Sequence, residues 1–422
     1  MSALAQKLLQ GLSGGTWLTR ERLVGYAAIL LFYEMLLAIY AVALSNGLVT
    51  AHKPVSMDFV SFYAAGELAN AGTPSLAYDQ AAHYAAEQRA EGPGISYNYF
   101  YYPPVFLMLC ALLARLPYMV AYFIFEALTL LVCIFVARRI VKETDWRVLV
   151  PLVAFPAVFW TIMLGQNSFL TAALFGAATL LIDRRPVAAG LLFGALAYKP
   201  HFGILIPIAL AAHGNWRAFI AAGASVAGLG ILSIAAFGWG TWSAFLAAAA
   251  GSQSVYAGGA IDTIGLATPF GAVMTMGGGL TLAYAVQGIS AAAAMAWVAL
   301  VWRRGLSLPV RAATLLAATP LTVPVFLFYD LVLGAIAMAW LVVAARKDGF
   351  LPWEKTALAA IYLATLFTGS TNMTPRLLLP PLVALALFAM TVARARYELA
   401  QRGRETQTQI APVSGMLNIS RH

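Results

Sequence analysis

The feature that most constrains this chain is its series of long apolar runs, which are separated by short polar connections. Hydrophobic residues make up 61% of the 422 residues and charged residues only 10%, a balance that excludes an ordinary soluble domain. A helix that crosses a bilayer needs about 17–25 mostly apolar residues, and many runs approach that length. The alternating pattern of a membrane β-barrel is absent. The sequence therefore predicts an all-α, polytopic membrane protein.

Short basic clusters recur between the apolar runs and set the predicted orientation. Because Lys and Arg are enriched in cytoplasmic loops, we assign these clusters to the cytoplasmic side. They are Arg20/Arg22, Arg138/Arg139/Lys142, Arg184/Arg185, Arg217, Arg303/Arg304, Arg346/Lys347 and Arg394/Arg396. This placement accounts for the formal net charge of +9 without a nucleic-acid partner.

About twelve transmembrane helices satisfy this orientation, with both chain ends in the cytoplasm. They are predicted at 24–45, 118–138, 147–164, 167–183, 186–198, 201–213, 216–237, 283–302, 311–328, 330–345, 355–369 and 376–393. Several are shorter than the about 20 residues of a full crossing, so we expect tilted or broken helices. Two further apolar pieces, 103–116 and 265–280, are read as re-entrant or interfacial. A crossing at 103–116 would invert the orientation of everything after it.

The chain divides into three parts in this interpretation. They are a cytoplasmic N-terminal segment at 1–23, a transmembrane domain at 24–393 that includes an outer loop at 46–102, and a polar cytoplasmic tail at 394–422. The tail is rich in Gln and Thr, and we expect it to be disordered. Glu34 interrupts the first apolar run and either faces a neighbouring helix or lies in a polar crevice.

The outer loop is predicted to be structured. Two short amphipathic helices are expected at 64–71 and 77–90, joined by a turn at Gly72-Thr73-Pro74. In the second helix, tyrosines and alanines at 78, 81, 84 and 85 are expected to pack inward, with Asp79, Glu87 and Arg89 outward. Five aromatic residues within 97–102 fit either an aromatic belt at the lipid headgroups or a surface that stacks on sugars.

Asp58 opens this structured interval among aromatic residues. A carboxylate at a membrane boundary loses hydration, so it is rarely kept there without a use. The residue is a candidate general base. The alternative is that it only caps the helix that follows, since Asp is a preferred N-cap residue.

Several other polar residues fall on the same predicted outer face as Asp58. They are Tyr102, Gln166, Asn167, Lys199, His201, Asp330 and Arg376. The positive-inside rule disfavours Lys199 and Arg376 there unless an anion such as a phosphate holds them. Lys offers phosphate oxygens a point charge, and Arg offers a forked donor. We therefore predict an anionic ligand at this face.

Each of these residues also has a structural interpretation. Gln166 and Asn167 are compatible with a tight turn, and Lys199 with a helix end whose ammonium snorkels to the interface. His201 is compatible with a satisfied interfacial histidine. Asp330 and Arg376 would make a structural ion pair as readily as they would contact a substrate.

The sequence predicts neither a cofactor nor a metal site. No His, Cys, Asp or Glu cluster has metal-ligand spacing, and no phosphate-binding loop or dinucleotide fingerprint follows a strand. The two cysteines, Cys110 and Cys133, lie in apolar stretches and are expected to pack as small hydrophobic residues.

Taken in order, several short motifs resemble glycosyltransferase family 87. They are Met57-Asp58-Phe59, Phe62-Tyr63-Ala64-Ala65-Gly66, Gly72-Thr73-Pro74, Tyr78-Asp79, Tyr102-Pro103-Pro104, Leu116-Pro117, Gly165-Gln166-Asn167-Ser168, Ala189-Gly190, Lys199-Pro200, Trp216-Arg217 and, more weakly, Tyr329-Asp330. The similarity covers roughly residues 56–218. Each motif is short, and their order and spacing make the resemblance specific.

The resemblance implies a polyprenyl-phosphate-mannose-dependent mannosyltransferase of the GT-C membrane fold, in a bacterial inner membrane. It implies inverting transfer at the extracytoplasmic face, from a polyprenyl-phosphate sugar donor to a hydroxyl of a lipid or glycan acceptor. Asp58 would be the base, and Lys199 with Arg376 would hold the phosphate. The chain departs from the family before Tyr329-Asp330, where residues 319–322 lack an expected histidine.

Three other functions remain open from the sequence. A transporter or flippase of lipid-linked saccharides would also have many spans, broken helices and charges within the membrane. A ligase or polymerase would move a whole lipid-linked glycan. A non-catalytic scaffold gives no reason for an acid and two cations on one face.

Overall fold

The computed structural model describes residues 2–44, 57–257, 263–369 and 378–414. The α-helices are α1 (Ala3–Gly14), α2 (Arg20–Leu44), α3 (Met57–Asn70), α4 (Gln80–Glu91), α5 (Pro104–Leu113), α6 (Tyr118–Val141), α7 (Leu149–Val153), α8 (Pro156–Leu164), α9 (Ser168–Leu181), α10 (Pro186–Gly194), α11 (Leu205–His213), α12 (Trp216–Phe237), α13 (Trp239–Ala257), α14 (Pro269–Thr275), α15 (Leu280–Arg303), α16 (Leu308–Thr322), α17 (Val332–Asp348), α18 (Glu354–Ala364) and α19 (Leu379–Ser414). Short 3-10 helices occupy Pro74–Tyr78, Trp146–Val148, Ala195–Tyr198, Pro200–Gly203, Phe328–Leu331 and Thr365–Phe367. The β-structure of these ranges is one isolated bridge between Leu266 and Leu327.

Within the described residues, six helices are long and apolar enough to cross a bilayer, and seven if the bent pair at Trp146–Val153 and Pro156–Leu164 counts as one span. Four shorter apolar helices accompany them, at Pro104–Leu113, Ser168–Leu181, Pro186–Tyr198 and Pro200–His213. The all-α, multi-pass membrane class is therefore confirmed. The predicted number of about twelve spans is not, because several predicted spans are helices too short to cross alone.

Prolines break the helices where the site residues lie. A proline disfavours helical angles in the residue before it. Accordingly Lys199, which precedes Pro200, has φ −127° and ψ 67°. Val323, which precedes Pro324, is extended and ends α16 at Thr322. The span predicted at 311–328 is shorter for that reason.

The predicted outer loop is structured over its described residues, 57–102, but its second helix presents a different face. Gly72 makes the turn after α3 with φ +80°. In α4, His83 and Glu87 are fully buried, whereas the alanines at 81 and 85 are exposed. The expected outward position of Glu87 is therefore wrong. The reason is specific hydrogen bonding, which a hydropathy pattern does not register.

Small residues allow α10 and α12 to pack closely. A Cβ added at Gly190 would lie 2.3 Å from the carbonyl oxygen of Ala218, and one at Gly194 would lie 2.4 Å from that of Ala222. Glycines at helix interfaces let backbones approach in this way in membranes, where dispersion contacts rather than hydrophobic exclusion favour association. This contact lies directly before Lys199 in the chain.

Ion pairs of buried arginines stabilise the end of the bundle away from Asp58. Arg311 donates to both carboxylate oxygens of Asp183, at 2.9 and 2.7 Å. Arg394 is 1% exposed and donates to both oxygens of Glu354. α19 continues to Ser414, and Glu398 within it accepts hydrogen bonds from Ser307. The predicted disorder after Arg394 is therefore wrong as far as 414.

Three sequence predictions concern single buried side chains. Glu34 in α2 is only 3% exposed and so faces the protein rather than lipid. Cys110 and Cys133 are buried, free thiols, which confirms their assignment as small packed residues.

Candidate active site

Asp58 lies in the first turn of α3, where the positive end of the helix dipole favours a carboxylate. The next residue, Phe59, is fully buried and fixes this turn, with ring centroids 5.5 Å from both Tyr118 and Tyr122 of α6. The aromatic residues around Asp58 are therefore the packing that holds α3 against α6. Asp58 itself is half-buried.

A glycine brings the second site residue beside Asp58. Gly165 ends α8 with φ +67°, and a Cβ there would lie 2.5 Å from the Cβ of Phe59. The following residue, Gln166, donates from Nε2 to Asp58 Oδ2 at 2.8 Å and to the Tyr329 hydroxyl at 3.1 Å. Any larger residue at 165 would push this amide away from the carboxylate.

Lys199 and Asp330 form a buried ion pair next to this group. The Lys199 ammonium lies 2.8 Å from Asp330 Oδ1, and their side chains are 5% and 4% exposed. Ser168 also donates to that oxygen, at 2.7 Å, and the Leu327 backbone N–H donates to Oδ2 at 3.4 Å. Thus α9, the break before Pro200 and the 3-10 turn Phe328–Leu331 meet at one carboxylate.

Three further candidates surround the pair. Asn167 is fully buried, and among the described residues its amide interacts with Tyr102 but makes no hydrogen bond of ordinary geometry. Tyr102 is close enough to Asp330 and Asp58 to feel both charges. His201 packs edge-on against Phe202, with ring centroids 4.7 Å apart, and is within electrostatic range of Lys199 and Asp330.

The surroundings of Asp58 favour a base that works near neutral pH. Loss of hydration raises the pKa of its carboxyl to about 6. The hydrogen bond from Gln166 and the charge of Lys199 act in the opposite direction, and Asp330 adds to the increase. A base whose pKa approaches the working pH is still ionised and accepts protons well.

A group of polar residues from α4 and the segment after it, His83, Glu87 and Asn98, packs against α3. His83 Nε2 lies 3.0 Å from the Ser61 carbonyl oxygen, one turn after Asp58. Its Nδ1 is 3.6 Å from Glu87, whose other oxygen accepts from the Asn98 backbone N–H at 3.2 Å. Burial raises the pKa of Glu87 to about 8, so at neutral pH it adds little negative charge beside Asp58.

The structure brings together six predicted site residues with Asp58: Tyr102, Gln166, Asn167, Lys199, His201 and Asp330. Arg376 lies outside the described residues, so Asp330 is seen paired with Lys199 only. Within the described ranges, no group of three or more His, Cys, Asp or Glu side chains is arranged to hold a metal ion.

Two residues at the site, Ser168 and Tyr329, were not among the predicted site residues. Ser168 donates to Asp330, and Tyr329 receives the Gln166 amide. Both are immediate neighbours of predicted site residues in the chain. A search of flanking polar residues within each motif would have found them.

The family to which the chain belongs follows from comparison of its sequence with known protein families. The family model described as glycosyltransferase family 87 matches residues 100–329, more than half of the chain. This stretch contains Gln166 and Lys199 and ends one residue before Asp330, while Asp58 lies before it. No curated protein and no solved structure matches the chain. On the strength of the family match, the chain belongs to glycosyltransferase family 87.

Proposed function

We propose that this membrane glycosyltransferase moves a hexose, mannose in the first instance, from a polyprenyl-phosphate donor to a hydroxyl of a lipid or glycan acceptor. Asp58 is the general base, and transfer inverts the anomeric centre. One observation carries the proposal: Asp58 is half-buried, one amide holds its carboxylate among the described residues, and the buried Lys199 cation is within electrostatic range. Such a group retains the capacity to accept a proton.

The chemistry requires a positioned base because a sugar hydroxyl is a poor nucleophile. Asp58 takes the acceptor proton as the new glycosidic bond forms, and the sugar–phosphate bond breaks on the opposite face of the sugar. The leaving polyprenyl phosphate carries away the bonding pair. Inversion follows because one displacement occurs at the anomeric carbon.

The leaving phosphate needs positive charge at its oxygens. Lys199 supplies one cation, and its ammonium has three donors, of which Asp330 receives one. Arg376 is the second proposed phosphate ligand. Gln166, Asn167, His201, Asp330 and Tyr102 complete the proposed substrate contacts. Asn167 supports this assignment, because its buried amide lies by Tyr102 without a hydrogen bond of ordinary geometry among the described residues, and a substrate would supply one.

Two helices support an extracytoplasmic position for the site. α6 begins beside Phe59 and carries Arg138 and Arg139 in its last turn, and its 24 residues span about 36 Å at about 1.5 Å per residue. α17 begins at Val332, two residues after Asp330, and carries Arg346 and Lys347 in its last turn. The site and these basic residues therefore occupy opposite ends of the bundle. The positive-inside rule then favours an outer position for the site.

The central test replaces Asp58 by Asn, which keeps the shape and removes the base. We expect transfer from a polyprenyl-phosphate sugar to fall by about 10²–10⁴-fold in lipid nanodiscs, the usual contribution of general base catalysis. Asp79→Asn is the matched control, because Asp79 is exposed and caps α4, a role that Asn also performs. A transfer rate in Asp58→Asn equal to that of the wild type would show that Asp58 is not the general base.

A second test addresses the side of the membrane. A cysteine at Ser75, in the outer loop, should react with an impermeant thiol reagent in intact cells, whereas one at Arg184 should react only after lysis. The two native cysteines are buried and give little background. The reverse labelling pattern would place the site in the cytoplasm.

A further inference from the structure

A large apolar groove lies between α2 and the helices α6, α17 and α18. Its volume is about 1060 Å³, at the upper limit of the about 300–1,000 Å³ typical of small-molecule pockets. Leu30, Ala339 and Tyr362 are among its lining residues. An apolar groove of this size beside a membrane-spanning helix is filled by hydrocarbon, because mainly aliphatic and aromatic side chains line its length and few polar groups are there to hold water.

The groove ends in a charged rim. Its cations are Arg20, Arg138, Arg346 and Lys355, and its acids are Glu143 and Asp145. Arg20 pairs with Asp145 at 3.0 Å, and Arg346 approaches Glu143 at 3.5 Å. Four cations against two acids leave a surplus of two positive charges. Arg20 and Arg346 keep 45–50% of their side-chain surface exposed, so they remain accessible to a further anion.

We propose that this groove binds an anionic phospholipid from the leaflet at the basic end of the bundle. The acyl chains lie along α2 and α17, and the phosphate occupies the rim, where Arg side chains bind phosphate oxygens through their forked donors. The lipid joins α2, which itself packs on α7 and α8, to α17 and α18. It therefore completes the bundle on this side.

The position of the rim distinguishes this lipid from the donor of the proposed reaction. The rim includes Arg138, near the C-terminal end of α6, whereas Asp58 lies beside the first residue of that helix. The two are separated by about 30 Å of helix at about 1.5 Å per residue. A headgroup held at the rim is therefore far from the candidate catalytic carboxylate.

The test uses the full chain in detergent with equal amounts of phosphatidylglycerol and phosphatidylcholine, and native mass spectrometry to count retained lipids. We expect the wild type to retain more phosphatidylglycerol than phosphatidylcholine. Ala339→Trp fills the groove and should abolish that retention. Ala293→Trp is the matched control, because Ala293 is exposed on α15 and does not line the groove.

A second variant tests the rim without changing the groove. Arg346→Gln should reduce the preference for phosphatidylglycerol over phosphatidylcholine about fivefold, the factor expected for one cation near an anionic headgroup. Arg139→Gln, at an exposed position outside the groove, should not change it. Equal retention by the two Ala→Trp variants, or equal preference in the two Arg→Gln variants, would overturn the proposal. The proposal would also be overturned if the protein retained added polyprenyl phosphate more strongly than phosphatidylglycerol. It would likewise be overturned if the protein formed a dimer and retained no lipid.

Discussion

The two ends of the helical bundle bury their charges differently. At the basic end, Arg394 donates to both oxygens of Glu354 and to the Gly349 carbonyl. At the other end, Asp58 accepts one side-chain hydrogen bond among the described residues, and the Asn167 amide, which lies by Tyr102, makes none of ordinary geometry there. A buried network that is complete within the protein fixes a structure, whereas an incomplete one keeps capacity for a ligand. This difference supports the proposed location of the active site at the end that carries Asp58.

The Lys199–Asp330 pair combines features of a complete and of an incomplete hydrogen-bond network. Its carboxylate is satisfied by Lys199, Ser168 and the Leu327 backbone, as in a scaffold. Its ammonium lies over the Phe202 ring, 4.9 Å from the centroid, and donates one hydrogen bond to Asp330. The pair thus positions a cation that retains donors for a phosphate.

The largest expected effect is on stability at the basic end. Arg394→Met leaves Glu354 buried without its cation, and breaking such a pair destabilises by about 3–5 kcal/mol. Turnover per folded molecule should not change. Arg396→Met, on the exposed face of the same helix, is the matched control. Thermal unfolding in detergent and transfer rates measure both effects, and lost turnover in the folded fraction would contradict the assignment of this pair to the scaffold.

The next largest expected effect is the loss of stability when the Lys199–Asp330 ion pair is broken. Lys199→Met should destabilise by about 3 kcal/mol, the lower limit for a broken buried pair, because Ser168 and the Leu327 backbone still satisfy Asp330. Adding Asp330→Leu removes the unpaired acid and should restore the unfolding temperature. Transfer and donor binding should stay impaired in the double variant. Recovered transfer would show that Lys199 is only structural.

The smallest expected effect is a shift in pH dependence. Because Asp58 must be ionised and its pKa is raised to about 6, kcat/KM should fall as the pH drops below 6. Gln166→Leu removes a hydrogen bond that lowers this pKa, so the acid limb should move upward by about 1 pH unit. Gln88→Leu, on α4, is the control. If the acid limb of the pH profile does not move in Gln166→Leu, the Gln166 amide does not influence the pKa of the catalytic base.

The sequence predicted the helices well where apolar runs were long and uninterrupted. α6 and α12 begin at the predicted residues, because most of their length is apolar and their starts are marked by Pro117 and Asn215. The predictions failed where tertiary contacts outweighed composition. Glu87 is buried since His83 and the Asn98 backbone N–H approach it, and residues up to 414 continue α19 rather than becoming disordered.

The amino-acid sequence by itself determined the class of protein, the family resemblance and most of the candidate site residues, because these depend on composition and short motifs. Only the tertiary structure decided how those residues are combined. Lys199 and Asp330 are 131 residues apart, and Asp58 and Gln166 are 108 apart. Hydropathy does not specify partners at such separations. They meet because Gly165 allows a close turn and because prolines end helices at one level of the bundle, and these contacts exist only once the helices pack.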